Sequence, residues 1–498
     1  MHDTHHESEE LSYKQRRKKS REFKTRAEYL EHELSIMNPK RWGINLPFRD
    51  YNFEPEDVVP ALAGTIGKVV MVAAIVGVWA TALQVQGVEL SPGFVLENTR
   101  YEMIIVGLIF AFLFSGFLNP NANLAGTHGM MVAVIGSVVA SGGHPLALGV
   151  SVAVMGLALS LSKGGSKLIT LTGKGVRGGL LIFLGLTGAI KYVGQLKAWG
   201  ASAEVGVPHL ATVLIGVTII VYAVLARFKM RWLSIPLCSA IAFGLAYALG
   251  APFAFKTEPG LPNMNPAYWW GESTGWCMGL PTGAEWLAVI PWALLAVAMW
   301  PPDFLGHRVF QEMNYPKNTK ALMNVDDTMS IASIRQAVGT LLGGGNLASS
   351  WGTYMIPAAI AKRPIPAGAV LTGIFCIGAA IIGYPMDLAG WKPVVVVALL
   401  VGVFLPLLEA GMQMIRDEKS AQAAGVCIFA SALVNPVFGW SLTMLLDNMG
   451  LIGDKHRGKE LKFADSVVIP GAAFAVCTFI MAAVGILPGI PAFLDKLM

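Results

Sequence analysis

Two short polar, glycine-rich stretches interrupt apolar runs of this sequence and could bind a ligand inside a membrane. The first is NLAGTHGMM at residues 123–131, and the second, NLASSWGTYM at residues 346–355, is a near copy of it. Their hydroxyl, amide and backbone N–H groups are hydrogen-bond donors that suit an anion. Because backbone that leaves a helix inside a bilayer is tolerated only where it is buried in protein or lines a cavity, such paired breaks predict the binding site of a transporter.

The donors of the two stretches are expected to converge. If one half-helix starts at Gly126 and another at Ser349, their N-termini face one another near the membrane midplane, and each carries a partial positive charge. We therefore predict an anion site. The residues expected to form it are Gly126, Thr127, His128, Asn346, Ser349, Ser350 and Trp351. The alternative interpretation is that these small residues only allow close helix packing.

One carboxylate, Asp303, lies late in an apolar segment with the sequence AMWPPDFLGHRVF. A charge within a membrane span is costly unless it is paired, so a functional role is the default interpretation. We predict that Asp303 binds a coupling cation, with the Thr353 hydroxyl as a further ligand if that cation is Na⁺. H⁺ is the alternative. The competing interpretation ends the segment at Pro301 and makes Asp303 a helix cap beside His307 and Arg308.

Two further charged residues, Lys68 and Glu409, also lie within apolar segments. Lys68 could reach an anion, but it is close enough to the predicted cytosolic edge to snorkel, and that is the expectation adopted. Glu409 is expected in a solvated helix-end cluster with Arg416 and Lys419.

The elements that must position these residues are membrane helices. The sequence of 498 residues is 54% hydrophobic and 14% charged, with a mean hydropathy of +0.56, which excludes an ordinary soluble enzyme. From residue 57 onward, apolar stretches recur that are long enough to cross about 30 Å of hydrocarbon. Seven are predicted in each half, about fourteen in all, with the two broken stretches third and tenth. The thirteenth is Ala421–Leu446.

Charge bias predicts the orientation. Most of the basic excess lies in one run, KQRRKKSREFKTR at residues 14–26, which beside membrane spans predicts a cytosolic anchor rather than nucleic-acid binding. The chain is therefore expected to be a multi-pass protein of the inner (plasma) membrane with a cytoplasmic N-terminus. One basic loop, DKHRGKELK at residues 454–462, disagrees with the scheme, so that residues 421–451 could instead be two short segments.

An odd number of segments in each half requires the second half to be inverted relative to the first. The predicted organisation has four parts, which are a basic tail at 1–56, a first repeat at 57–250, an external loop at 251–283 and a second repeat at 284–498.

Other classes of site are not predicted. The five cysteines are scattered without CxxC spacing, so neither a disulfide framework nor a metal site is expected. No Ser-His-Asp spacing, HExxH motif or phosphate-binding loop stands out, so the chain is expected not to be an enzyme and to need no cofactor beyond a coupling Na⁺ or H⁺.

Two motifs carry a family resemblance. DVVPALAG at residues 57–64 resembles the first span of bacterial sulfate permeases, as does LLGGGNLASS at 341–350 followed by a basic-proline turn at 362–364. The membrane part as a whole is similar to the superfamily that joins sulfate permeases, nucleobase:cation symporters and bicarbonate transporters. The resemblance implies an all-α polytopic fold of two inverted seven-span repeats, divided into a core and a gate domain. It further implies short strands before the half-helices of spans three and ten, elevator-type movement, a homodimer, and an acidic residue in span eight, where Asp303 falls.

Departures from the superfamily pattern narrow the expected substrate. Nucleobase symporters carry a glutamate in the second broken segment, whereas NLASSWGTYM has no acid, and a donor-lined neutral pocket suits an anion. We predict a secondary transporter of sulfate, bicarbonate or a small carboxylate, with a nucleobase:cation symporter and an anion channel as alternatives. Sulfate permeases usually end in a soluble regulatory domain, and that domain is expected to be absent here.

Overall fold

The computed structural model describes residues 23–122, 126–228, 230–253, 259–349, 351–383 and 391–493. Helices make up most of this part of the chain. In the first half they are α1 (Arg26–Ile36), α2 (Val58–Val85), α3 (Phe94–Ile105, continued as a π-helix over Val106–Leu118), α4 (Gly129–Ala140), α5 (Pro145–Leu161), α6 (Gly165–Thr172), α7 (Lys174–Gly200), α8 (Leu210–Arg227) and α9 (Ser234–Ala248). Short 3₁₀ turns at Pro55–Asp57 and Arg231–Leu233 lead into α2 and α9, and a strand β1 (Gly126–Thr127) precedes α4.

The second half repeats the arrangement after a one-turn helix α10 (Pro266–Trp269) in the connecting loop. Its elements are α11 (Gly283–Ala298), α12 (Trp300–Asn314), α13 (Val325–Leu341), β2 (Ala348–Ser349), α14 (Gly352–Ile360), α15 (Ile365–Ile382), α16 (Lys392–Leu399, continued as a π-helix over Leu400–Phe404), α17 (Leu405–Met414), α18 (Glu418–Leu433), α19 (Pro436–Asn448), α20 (Arg457–Glu460) and α21 (Ile469–Ala483, preceded by a π-helix over Ala464–Val468).

Helix length and composition support a polytopic membrane protein. Eight helices in the described part of the chain are long and apolar enough to cross a membrane, or nine if α5 and α6, which meet at 105°, form one broken span. The two half-helices are too short to cross, because 12 residues in α4 and 9 in α14 extend about 18 and 14 Å at 1.5 Å per residue. The all-helical membrane fold is confirmed, whereas the count of fourteen segments stays a prediction.

The predicted strands and half-helices of the two broken segments are present, but the half-helices start at Gly129 and Gly352 rather than at Gly126 and Ser349, which lie in the strands. β1 and β2 pair antiparallel, with Gly126 opposite Ser349 and Thr127 opposite Ala348. The backbone N–H of His128 extends this ladder to Leu347 O at 2.8 Å. Each strand is followed within three residues by its half-helix, so the short ladder brings the starts of α4 and α14 to one place.

The segment predicted as one span over Ala421–Leu446 is two helices, which corrects the single-span prediction. α18 ends at Leu433, and α19 starts after Asn435, whose side chain caps it by accepting from Phe438 N, while Pro436 occupies the first turn. Lys419, at the start of α18, forms an ion pair of 3.0 Å with Asp454, which follows α19. The start of α18 and the end of α19 therefore lie close together, so the two helices form a hairpin. This agrees with the alternative prediction of two short segments.

Residues 26–57 are a packed part of the protein rather than a tail. Glu33 of α1 reaches Arg363, which also holds Asp57 through two hydrogen bonds of 2.8 Å, and all three side chains are buried. Burial alone would lower the pKa of the Arg363 guanidinium, but the neighbouring carboxylates of Asp57 and Glu33 raise it above its ordinary value. This ion cluster joins α1 to the start of α2 and to the turn before α15.

The long helices form two groups, which correspond to the predicted core and gate. In the first, α2 packs on α14 and α15, α3 packs on α15, and α5 packs on α13. In the second, α7 packs on α17 and α18, and α9 packs on α16. A cavity of about 600 Å³ is lined by residues of both groups.

Candidate functional site

The second broken segment is held open by side chains from α3. Asn98 accepts from Gly345 N and donates to Gly343 O, both at 2.9 Å, and Glu102 accepts from Asn346 N at 3.0 Å. These bonds satisfy backbone groups that a continuous helix would have paired internally. The backbone can therefore leave the helix without exposing unpaired polar groups to lipid.

The three glycines before Asn346 are required by the closeness of their neighbours. A Cβ on Gly343, whose φ is +106°, would lie 2.1 Å from Trp269 Cβ, and one on Gly344 would lie 2.0 Å from Glu102 Oε1. Trp276 packs on Gly345 and donates from its indole nitrogen to Gly343 O at 2.9 Å. The tryptophan-rich loop between the two halves thus packs directly on the second break.

The half-helices α4 and α14 start with backbone donors that no side chain among the described residues caps. Their N-cap residues, His128 and Trp351, make no side-chain hydrogen bond to the first turn. First-turn N–H groups of a helix carry a partial positive charge and favour an anion. The antiparallel ladder brings the two N-termini together. Gly129 and Gly352, their first residues, both line the same cavity.

Lys68 is at the centre of this arrangement, which corrects the expectation that it snorkels. Its side chain is buried, and its Nζ donates to Thr127 Oγ1 at 3.3 Å and lies 5.2 Å from the centre of the Trp351 ring. The preceding residue is Gly67, where a Cβ would collide with Thr353 at 2.7 Å, so α2 and α14 are in close contact. The ammonium group is therefore held between the two broken segments and lines the cavity.

A buried ion pair lies near Lys68, on α3 and α13. Arg335 of α13 donates to Glu102 Oε2, and neither side chain is exposed. Both are close enough to interact electrostatically with Lys68. When all three are ionised, these residues carry two positive charges and one negative charge, and Arg335 Nε and Nη1 make no further hydrogen bond with the described residues. This cluster therefore has an excess of one positive charge.

Asp303 lies in the first turn of α12 and reaches the second broken segment. Its Oδ2 accepts from Ser349 Oγ at 2.9 Å, and its Oδ1 lies 3.9 Å from His307 Nε2. Both Asp303 and His307 line the cavity, and His307 Nδ1 is buried without a hydrogen-bond partner. Asp303 is thus part of the cavity wall rather than a cap at the end of the apolar segment, because α12 continues to Asn314.

The cavity brings together most of the residues that the sequence singled out. Its wall includes Gly126, Thr127, Asp303, Ser349, Trp351 and Thr353. His128 and Asn346 are buried but are not among the cavity's described lining residues, since His128 Nε2 meets Ala296 O at 3.0 Å and Asn346 lies against Glu102. Ser350 lies outside the described residues. At the gate side of the cavity, Glu409 forms two hydrogen bonds with Arg231 rather than joining Arg416 and Lys419.

Four residues of the site went unpredicted: Lys68 in its buried role, Glu102, Arg335 and His307. Glu102 and Arg335 each fall inside a predicted apolar segment. An ionisable residue inside an apolar segment needs a partner, so the opposite charges of Glu102 and Arg335 could have predicted that the two side chains form an ion pair.

Comparison with known proteins gives a family and a fold. A family model described as "Protein of unknown function (DUF3360)" matches residues 4–494, and no curated protein matches the sequence. Among solved structures, the chain is similar to the murine anion transporter Solute Carrier 26 family member A9 (Slc26a9) in its inward-facing state. The TM-score is 0.53 at 10% identity, over 80% of this chain and 68% of that one. It is also similar to the transmembrane domain of the cyanobacterial bicarbonate transporter BicA, with a TM-score of 0.43 at 18% identity, over 79% and 95% of the two chains.

Proposed function

We propose that this chain, which belongs to the DUF3360 family of proteins of unknown function, is a membrane transporter of a small anion. The observation that carries the proposal is the buried amino group of Lys68, held in one cavity beside the N-termini of two half-helices whose N-cap side chains make no capping hydrogen bond. An isolated buried charge is costly unless it is paired. A bound anion would supply the missing partner. The fold shared with Slc26a9, whose structure is described as that of an anion transporter, supports the same proposal.

The charges in and next to the cavity also support coupling to a cation. The net charge of four residues is zero when all of them are ionised: Lys68, Arg335, Glu102 and Asp303. An added anion would therefore leave an excess negative charge in a low-dielectric site. A proton or Na⁺ at Asp303 restores the balance. Cation and anion binding should then be mutually supportive, and by linkage each should tighten the other by the same factor. Two further groups of the cavity wall could take part. The Thr353 hydroxyl could serve as a ligand of Na⁺, and the His307 ring could accept a proton.

The substrate classes that suit the site are sulfate, bicarbonate and small carboxylates. Each has oxygen atoms that can accept from Lys68, from the Thr127 hydroxyl and from the half-helix N–H groups. A nucleobase would place an amide donor against these donors and would find no acid in the second broken segment. Elevator movement is proposed because the cavity is lined by both groups of helices, and the helices pack more extensively within each group than across the cavity. A homodimer, the inner-membrane location and the cytoplasmic N-terminus remain predictions.

Uptake by the purified protein in liposomes tests the proposal. Radiolabelled sulfate, bicarbonate, a small carboxylate and uracil are offered under an inward Na⁺ gradient, an inward H⁺ gradient or neither. Accumulation of an anion above its external concentration, under one cation gradient, is the expected result. Equilibration without accumulation would indicate a channel. Uptake of uracil with no uptake of any anion would contradict the proposal.

A further inference from the structure

The segment Lys40–Phe48, which precedes the first membrane helix, is a rigid loop built around a buried side chain. Asn45 accepts from Lys40 N at 2.8 Å and donates to the carbonyl oxygens of Lys40, Gly43 and Phe117 at 2.7 to 3.1 Å. These bonds pair the backbone N–H of Lys40 and the carbonyl groups of Lys40 and Gly43 within the protein. The loop therefore has a fixed conformation even though much of its surface is exposed.

This loop is attached to the end of the second membrane helix. Gly43 N and Asn45 N donate to Leu118 O and Phe117 O at 3.0 and 2.9 Å. The last carbonyl groups of a helix have no partner within it, so the loop serves as the C-terminal cap of α3 and its π-helical continuation. Its position is therefore set at the membrane depth where that helix ends.

A second attachment fixes the same loop from the other side. Arg41 makes two hydrogen bonds of 2.6 Å to the buried carboxylate of Asp327, and the Trp42 indole nitrogen donates to the same carboxylate at 3.2 Å. Asn119, just past the end of the α3 span, donates to Asp327 as well, at 3.0 Å. The loop is thus joined to the core group at both α3 and α13.

Much of the outer surface of the loop is apolar. Four alternating side chains project from it, and their exposed fractions are 47% for Trp42, 62% for Ile44, 40% for Leu46 and 62% for Phe48. Four neighbouring exposed apolar side chains on a rigid loop form a patch that a soluble surface rarely carries. Leu113, on the continuation of α3, is 44% exposed. It lies five residues before the helix end to which the loop is bonded, or about 8 Å along the helix axis, so an exposed apolar side chain of that span is near the loop.

We propose that Lys40–Phe48 is a membrane-interface anchor, with Trp42, Ile44, Leu46 and Phe48 immersed at the boundary between lipid headgroups and acyl chains. Tryptophan and apolar residues flanked by basic ones are typical of that boundary, and here the exposed Lys40 and Arg49 stand at the two ends of the patch. The lipid that covers Leu113 would continue directly onto the loop. This anchor does not depend on the proposed transport activity.

The test uses the full-length protein in lipid nanodiscs, where both faces of the bilayer are accessible. Cys277 is the partly exposed cysteine among the five and is replaced by serine. A single cysteine is then introduced as Ile44→Cys and labelled with the fluorophore NBD. The matched control is Asn38→Cys, an exposed position just before the loop. Spin-labelled lipid and aqueous iodide serve as the two quenchers.

The expected result is that NBD at position 44 emits at shorter wavelength and is quenched by spin-labelled lipid, whereas NBD at position 38 is quenched by iodide. Leu46→Cys should behave like Ile44→Cys, and it replaces that variant if the latter does not fold. Quenching of both loop positions by iodide, as at position 38, would overturn the proposal. So would protection from both quenchers, which would show that a second copy of the chain or another protein segment covers the patch.

Discussion

Replacement of Lys68 by methionine is the perturbation that most directly tests the anion site. The change removes the charge and keeps an unbranched apolar side chain of similar length, so the packing of α2 against α14 is preserved. Arg335 and the two half-helix N-termini remain in place. What is lost is the charge that lies 3.3 Å from Thr127 Oγ1 and beside Trp351.

The magnitude follows from the burial of Lys68, whose side chain is 1% exposed. Two unit charges about 4 Å apart interact by about 4 kcal/mol at an effective dielectric constant of about 20. Truncation of one member of a buried charge pair typically costs about 2–5 kcal/mol. We therefore expect a loss of about 3 kcal/mol, or a Kd roughly a hundredfold higher, since each 1.4 kcal/mol is a factor of ten.

Anion binding to the purified protein is measured by calorimetry or by ligand-induced thermal stabilisation. Thr127→Val is the matched control, because it removes the hydroxyl partner of Lys68 but no charge, and it should cost only about 1 kcal/mol. Lys68→Met should not lower the thermal stability of the unliganded protein, because it removes the cost of burying an ammonium group that forms no ion pair with any described residue. Unchanged anion affinity in Lys68→Met would refute the assignment of Lys68 as the counter-charge of the substrate.

Three further predictions concern the groups around the site. Asp303→Asn should retain anion binding but lose its dependence on Na⁺ or pH, together with concentrative uptake, and unchanged cation dependence in uptake assays would place coupling elsewhere. Gly344→Ala would place a Cβ 2.0 Å from Glu102 Oε1. This overpacking should destabilise the protein by about 1–3 kcal/mol, and thermal unfolding identical to that of the wild type would contradict the prediction. Arg363→Met leaves two buried carboxylates without their cation and should cost about 3–5 kcal/mol, whereas the control Lys362→Met breaks only an exposed pair and should cost about 1 kcal/mol or less in the same unfolding measurement.

The paired breaks could be found from sequence because their signal is local. Glycine, asparagine and serine interrupt an apolar run only where the backbone must leave the helix, and the structure has a strand and a half-helix at each break. The break inside residues 421–446 was also local, since Asn435 followed by Pro436 is a helix-start signal. The apolar run on both sides concealed it, because hydropathy alone does not distinguish one span from a hairpin.

The partners of the buried charges could not be predicted in the same way. A lysine near a helix end can snorkel to the membrane surface or turn inward, and the choice depends on which helices cover it. Lys68 turns inward because α14 and β1 bring Trp351 and Thr127 to its side chain. Glu33 meets Arg363 across more than three hundred residues, and no spacing in the sequence indicates that contact.

The charges and the donors of the site come from different parts of the chain, and this separates two properties of the proposed transporter. Lys68, Glu102, Asp303 and Arg335 are supplied by the continuous helices α2, α3, α12 and α13, whereas the broken segments supply uncharged hydroxyl and N–H groups. In this proposal, the sum of the four charges would govern whether an anion can enter without a cation. The shape and donors of the broken segments would govern which anion fits. Substitutions in residues 126–127 and 349–353 should therefore change substrate preference while cation dependence is kept, and substitutions among the four charges should do the reverse.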